Sequence, residues 1–181
     1  SRLSKEKKMA NTTFKGPVRS EDGFNAITEN SSTGVITTDF TYGSAGMVAT
    51  PTVLADGDIT ITKATHGGRI NLVPDGGQDN TYTLPAPEAG VAYRFVYGGL
   101  ATDATDAIFI TPGNTNFYKG NIVHLDTNAD NAVVYPNGSS NSSLQLNVPA
   151  AFDVIFIGLD STNYQVYGHV TSTTAPAFAD Q

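Results

Sequence analysis

The run Val91-Ala-Tyr-Arg-Phe-Val-Tyr97 alternates with a period of two, placing Val91, Tyr93, Phe95 and Tyr97 on one face of an extended chain and Ala92, Arg94 and Val96 on the other. Short runs of this kind recur: Gly34 to Phe40, Met47 to Leu54, Asp58 to Thr62, Arg69 to Val73, Asn80 to Leu84, Asp106 to Thr111, Ile122 to Leu125, Ala132 to Tyr135, Leu144 to Val148, Phe152 to Leu159 and Asn163 to Val170. Between them stand Asp56-Gly57, His66-Gly67-Gly68, Pro74-Asp75-Gly76-Gly77, Gly98-Gly99, Pro112-Gly113-Asn114 and Pro136-Asn137-Gly138. In such clusters glycine reaches positive φ and proline fixes φ, as tight turns require. No window repeats apolar residues at helical spacing between caps. The chain is therefore expected to be all-β, a sandwich of jelly-roll or tulip-like form over residues 34–170, with helix limited to a turn or two.

Asp106 to Thr111 and Phe152 to Leu159 are apolar at both parities, which predicts central strands covered on each side. Phe95, Ile108, Ile110, Val154 and Phe156 are the expected heart of the core. Thr81-Tyr-Thr-Leu-Pro-Ala86 and Gln145-Leu-Asn-Val-Pro-Ala150 share a weak pattern, each leading into an apolar strand, as two related sandwich halves would. Residues 1–33 are polar with few apolar anchors (Phe14, Val18, Phe24, Ile27), and residues 171–181 are rich in Ser, Thr, Ala and Pro. Such composition buries too little surface to fold alone, so an extended N-terminal arm and a short C-terminal tail are expected to order only against something else.

A chain of 181 residues can bury about 70 per cent of its extended surface without disulfide or metal. The absence of cysteine excludes disulfide scaffolds, thiolate metal sites and cysteine nucleophiles. The net charge is −7, and the basic residues Arg2, Lys5, Lys7 and Lys8 crowd the first eight positions, which suits a phosphate backbone poorly. No apolar run approaches the roughly 20 residues of a membrane span, and the basic start lacks the apolar stretch of a signal peptide. Neither nucleic acid nor a membrane is an expected partner.

Sites of chemistry are sparse. His66, His124 and His169 lie on different predicted elements with no partner at relay or metal-ligand spacing, which favours plain turn and strand-end roles. There is no Gly-x-Ser-x-Gly elbow, and the glycine pairs are not followed by a helix able to aim amides at a phosphate. Asp126-Thr-Asn128-Ala-Asp130-Asn131 copies the opening of a calcium loop. Its sixth position is Asn131 instead of Gly and its twelfth is Asn137 instead of a bidentate Glu, so an Asx-rich turn is expected. The Asn-x-Ser/Thr matches at Asn11, Asn30, Asn137 and Asn141 are what chance supplies in so Asn-, Ser- and Thr-rich a chain. The tyrosines and phenylalanines, with no tryptophan, read first as a core inventory, and a tyrosine platform for carbohydrate is the alternative. No catalytic residue, cofactor or metal is expected.

Met9-Ala-Asn-Thr-Thr-Phe-Lys-Gly-Pro-Val-Arg-Ser-Glu-Asp-Gly-Phe24 resembles the opening of virion structural proteins of marine, cyanophage-like bacteriophages. Thr83-Leu-Pro-Ala-Pro-Glu-Ala-Gly-Val-Ala-Tyr-Arg-Phe95 and Tyr164-Gln-Val-Tyr-Gly168 are similar to the same group, although these later runs are general β-sandwich pattern. The resemblance implies a non-enzymatic protein of the capsid exterior, a decoration or cement protein that binds the major capsid protein and assembles as homotrimers. It places the arm on the lattice, with Phe14, Pro17, Val18, Arg19 and Phe24 contacting the capsid or a neighbouring copy. Extended arms tie subunits together readily, by adding strands to exposed sheet edges. A tail, fibre or knob component that binds a host surface or its glycans is the alternative, followed by a free-standing carbohydrate-binding module.

Overall fold

A computed structural model describes residues 23–43, 46–99 and 105–181. The chain divides into two compact units, Ser1–Val48 and Ala49–Gln181. In the first, β1 (Phe24–Glu29), β2 (Ile36–Gly43) and β3 (Gly46–Val48) form an antiparallel sheet in that order. The β1-β2 turn is closed by Asn30, whose Oδ1 accepts the amides of Ser32 and Thr33 at 2.9 and 3.1 Å, and by Gly34 at φ +70°. The run from Gly34 to Phe40 therefore pairs inside the N-terminal unit, and the boundary falls after Val48 instead of at residue 33.

The second unit is a two-sheet β-sandwich. Its elements are β4 (Thr52–Val53), β5 (Ile59–Thr60), α1 (Lys63–His66), β6 (Ile70–Leu72), β7 (Asn80–Thr83), β8 (Ala92–Tyr97), β9 (Ala107–Ile110), β10 (Phe117–Gly120), β11 (Ile122–Asp126), β12 (Ala132–Val134), β13 (Ser143–Leu146), β14 (Ala151–Gly158), β15 (Asn163–Ser172) and β16 (Ala177–Ala179). One sheet runs β12-β11-β15-β14-β8-β6-β4, with β10 also on β15; the other runs β16-β13-β9-β7-β5. From β4 to β9 the chain passes alternately between the sheets, and each strand lies parallel to its predecessor in the same sheet. Antiparallel strands then close this coil, β14 on β8 and β13 on β9. These parallel pairs are not legible in the sequence, because period-two alternation carries no information about strand direction.

Aspartates tie successive turns of the coil. Asp58 Oδ1 accepts the amide of Thr81 at 2.8 Å, Asp79 Oδ1 that of Asp106 at 2.8 Å, and Asp106 Oδ1 that of Val148 at 2.9 Å. Each carboxylate satisfies a backbone donor at the next corner, where no ladder partner is present. The repeated segments around Pro85 and Pro149 mark equivalent corners: both carry the chain from the five-stranded to the eight-stranded sheet, β7 to β8 and β13 to β14. Among the described residues, helix amounts to the single turn α1, where Thr62 caps the amide of Thr65 and buried His66 accepts the Thr62 amide at Nδ1, 2.9 Å away.

Aromatic rings fill the space between the sheets. Phe109 is fully buried, with its ring centroid 4.8 Å from Phe95, 5.1 Å from Tyr82 and 5.2 Å from Phe156. Phe95, Val154 and Phe156 are buried as their alternation predicts. Ile108 and Ile110 are not: they lie half-buried on the outer face, while Ala107 and Phe109 point inward. The register of β9 decides this, since Phe109 stands opposite the buried Tyr82 and Leu144. β9 and β14 are central in sheet order, yet their outer faces are only partly covered.

Residues 171–181 do not form a loose tail. β16 pairs with β13, Phe178 packs on the core against Tyr118 at 6.1 Å, and the Gln181 side-chain amide donates to the carbonyls of Thr111 and Ser142 at 2.9 and 3.0 Å. The segment orders against its own domain because one phenylalanine and a backbone ladder suffice for an edge strand.

Candidate interaction surfaces

Among the described residues, two surfaces expose apolar side chains in an ordered pattern. The first is the N-terminal sheet, where β1 is exposed along its whole length. The pairing Phe24↔Tyr42 puts two aromatic rings on one face, 50 and 64 per cent exposed, and Ile27 and Ile36 are exposed on the other. A small sheet needs a buried apolar face to be stable, and among the described residues this one exposes apolar side chains on both faces. Of the residues expected to contact a capsid or neighbour, Phe24 is therefore at an exposed face; Phe14, Pro17, Val18 and Arg19 lie outside the described residues.

The second surface is the outer face of the eight-stranded sheet. Registered pairs carry one row across it from Val53 through Leu72, Val96, Asp153, His169 and Val123 to Val133. The row beside it runs Ile70, Arg94, Ile155, Tyr167. Val53, Ile70, Leu72, Val123, Val133 and Tyr167 are all exposed. At the centre Arg94 grips Asp153 with two bonds, Nε to Oδ1 at 2.9 Å and an Nη to Oδ2 at 2.5 Å. The hydrogen bond to Asp153 is the main reason the guanidinium is held above its ordinary pKa. Gly168, at φ +144° between Tyr167 and His169, permits close strand contact here: a Cβ would fall 2.1 Å from the Asp153 carbonyl.

In β6 the expected polarity is reversed, and β11 carries apolar residues on both faces. Ile70 and Leu72 face outward and Asn71 is fully buried, with Nδ2 donating to the carbonyls of His66 and Arg94 at 3.2 and 3.0 Å. In β11 Val123 and Leu125 face outward, while His124 is buried against Ser172, Nε2 to Oγ 3.0 Å. Sequence reasoning missed this face because apolar-polar-apolar triplets such as Ile70-Asn71-Leu72 are read with the apolar residues inside. Asn71 is the available signal, since burying asparagine requires partners that a strand interior rarely offers.

The remaining candidates resolve into structural roles. Asp126 Oδ1 accepts the amides of Asn128 and Ala129 at 2.9 and 3.1 Å, making the calcium-like run an Asx turn between β11 and β12. No group of three metal-ligating side chains converges among the described residues. The three histidines stand apart, His66 on α1, His124 on β11 and His169 on β15. Tyr82, Tyr93, Tyr97, Tyr118 and Tyr164 belong to the core, not to a carbohydrate platform. Burial pushes the Tyr118 and Tyr164 phenols up, and both donate to carbonyls, Phe109 at 3.0 Å and Pro85 at 2.9 Å.

No protein-family model matches the chain, and comparison with the curated proteins finds no match.

Proposed function

We propose that this chain is a non-enzymatic structural protein of a phage virion, a decoration or cement protein on the capsid exterior that binds the major capsid protein and assembles with copies of itself as a homotrimer. The observation that carries this reading is the N-terminal sheet, whose Phe24, Tyr42, Ile27 and Ile36 are exposed although a sheet this small relies on covering an apolar face. Such a segment completes its fold on a partner, as the resemblance of its opening residues to virion proteins implies. Asp58, Asp79, Asp106, Asp126, Tyr118 and Tyr164 all bond to backbone, which suits a scaffold.

Phe24→Asp and Tyr42→Asp in the full chain test the attachment. Both side chains are at least half exposed, so the chain stays folded, and co-sedimentation with empty capsids should be lost. Undiminished sedimentation of both variants, or none for the unaltered chain, overturns the reading. A tail, fibre or knob role differs in copy number: many copies per particle mark a shell protein, and a few mark a tail component.

A further inference from the structure

We infer that the outer face of the eight-stranded sheet is where copies of this chain pack against one another. This names a surface for the self-association in the function proposed above, and it rests on that reading only for the expectation that copies meet.

Three observations carry it. The first is that β6 buries Asn71 while presenting Ile70 and Leu72 outward, and that β11, with Ile122 and His124 inside, presents Val123 and Leu125 outward. A face meant for water would show the opposite alternation. The second is charge. The chain carries −7 overall, so two copies repel over most of their surface. Within this face the central charges, Arg94 and Asp153, are bonded to each other, and the rim cation Lys119 is turned to the Gly138 carbonyl. An identical copy can therefore approach without like-charge repulsion, and the carboxylate enters the contact already paired. A basic partner would be drawn to the acidic surface elsewhere. The third is extent. At about 4.8 Å per strand and 3.3 Å per residue the face covers on the order of 600 Å², close to the about 800 Å² per partner of a standard interface.

The test is sedimentation velocity on the purified full chain at micromolar concentration, with no capsid present, so its failure is separate from failure of the capsid reading. The unaltered chain should sediment at two or more times its 19.0 kDa mass. Val133→Asp and Val53→Asp lie at opposite edges of the sheet, 56 and 74 per cent exposed, and each should shift the population to monomer while retaining the parent circular dichroism spectrum. Should one variant unfold, the other decides. A monomeric parent chain, or a folded variant with unchanged mass, overturns the proposal.

Discussion

Replacing Phe109 and its neighbour Ile108 separately by alanine tests the orientation of the central strand of the five-stranded sheet. Phe109 is fully buried and its ring touches four others, at 4.8 Å (Phe95), 5.1 Å (Tyr82), 5.2 Å (Phe156) and 6.1 Å (Phe152). Truncation to alanine should cost about 3–5 kcal/mol. The ring contacts, roughly 0.5–1.5 kcal/mol each in isolation, are not additive and fall within that range. Ile108 points outward between Thr81 and Gln145 and is half-buried, so losing its methylene and methyls should cost about 1 kcal/mol. With a urea slope of about 2 kcal/mol per molar, the unfolding midpoint drops by about 2 M for Phe109→Ala and about 0.5 M for Ile108→Ala. The chain has no tryptophan, so the transition is followed by circular dichroism and tyrosine fluorescence. An Ile108→Ala loss equal to or above that of Phe109→Ala would refute the register, since a one-residue slip turns every side chain of β9 over.

Burial holds His66 below its ordinary 6.5, an effect partly offset by the Thr62 carbonyl. The folded state then binds fewer protons than the unfolded one, so the stability His66 confers is present above 6.5 and lost as pH falls below it. The melting temperature should fall between about pH 7.5 and 5.5, less steeply in His66→Gln, and parallel slopes would count against the assignment. Deleting residues 177–181 removes Phe178 from the core and the Gln181 amide bonds, and should destabilise the sandwich by about 2–4 kcal/mol in urea; an unchanged midpoint would make the segment a tail after all. EDTA should leave the melting temperature unchanged because Asp126 already serves the Asn128 and Ala129 amides, whereas a drop reversed by calcium would make Asp126, Asn128 and Asp130 ligands.

Alternation states which residues share a face, and something else must say which face is inside. In β8 side-chain size does so: Tyr93, Phe95 and Tyr97 outweigh Ala92, Arg94 and Val96, and the strand is legible from sequence alone. In β9 the segment Ala107-Ile-Phe-Ile110 is apolar at both parities, and orientation is set by Tyr82 and Leu144 on strands remote in sequence. β10 and β16 left no local trace. Phe117-Tyr-Lys-Gly120 has no alternation, and its strand forms because residues 163–166 of β15 lie alongside. Ala177-Phe-Ala179 sits in a stretch of disorder-like composition, and a single phenylalanine docks it. Short turns, by contrast, act through neighbouring backbone, and for that reason the Asx turn at Asp126 is readable.

The reversal of β6 has an energetic reason. Turning β6 over would bury Ile70 and Leu72, a gain of roughly 1.5–3 kcal/mol each in apolar transfer. It would also take Asn71 away from the carbonyls of His66 and Arg94, leaving acceptors at the α1 corner without their donor. Parallel pairing enforces the same choice, because Asn71 stands opposite inward Phe95 and Ile70 opposite outward Arg94. That accounts for the polar residue inside. It does not account for the apolar residues outside, since threonine serves a solvent-facing strand position as well as isoleucine or valine does. Val53, Ile70, Leu72, Val123 and Val133 lie on four different strands and share one face only after folding. No requirement of the isolated sandwich places apolar side chains at all five, whereas a covering second copy does.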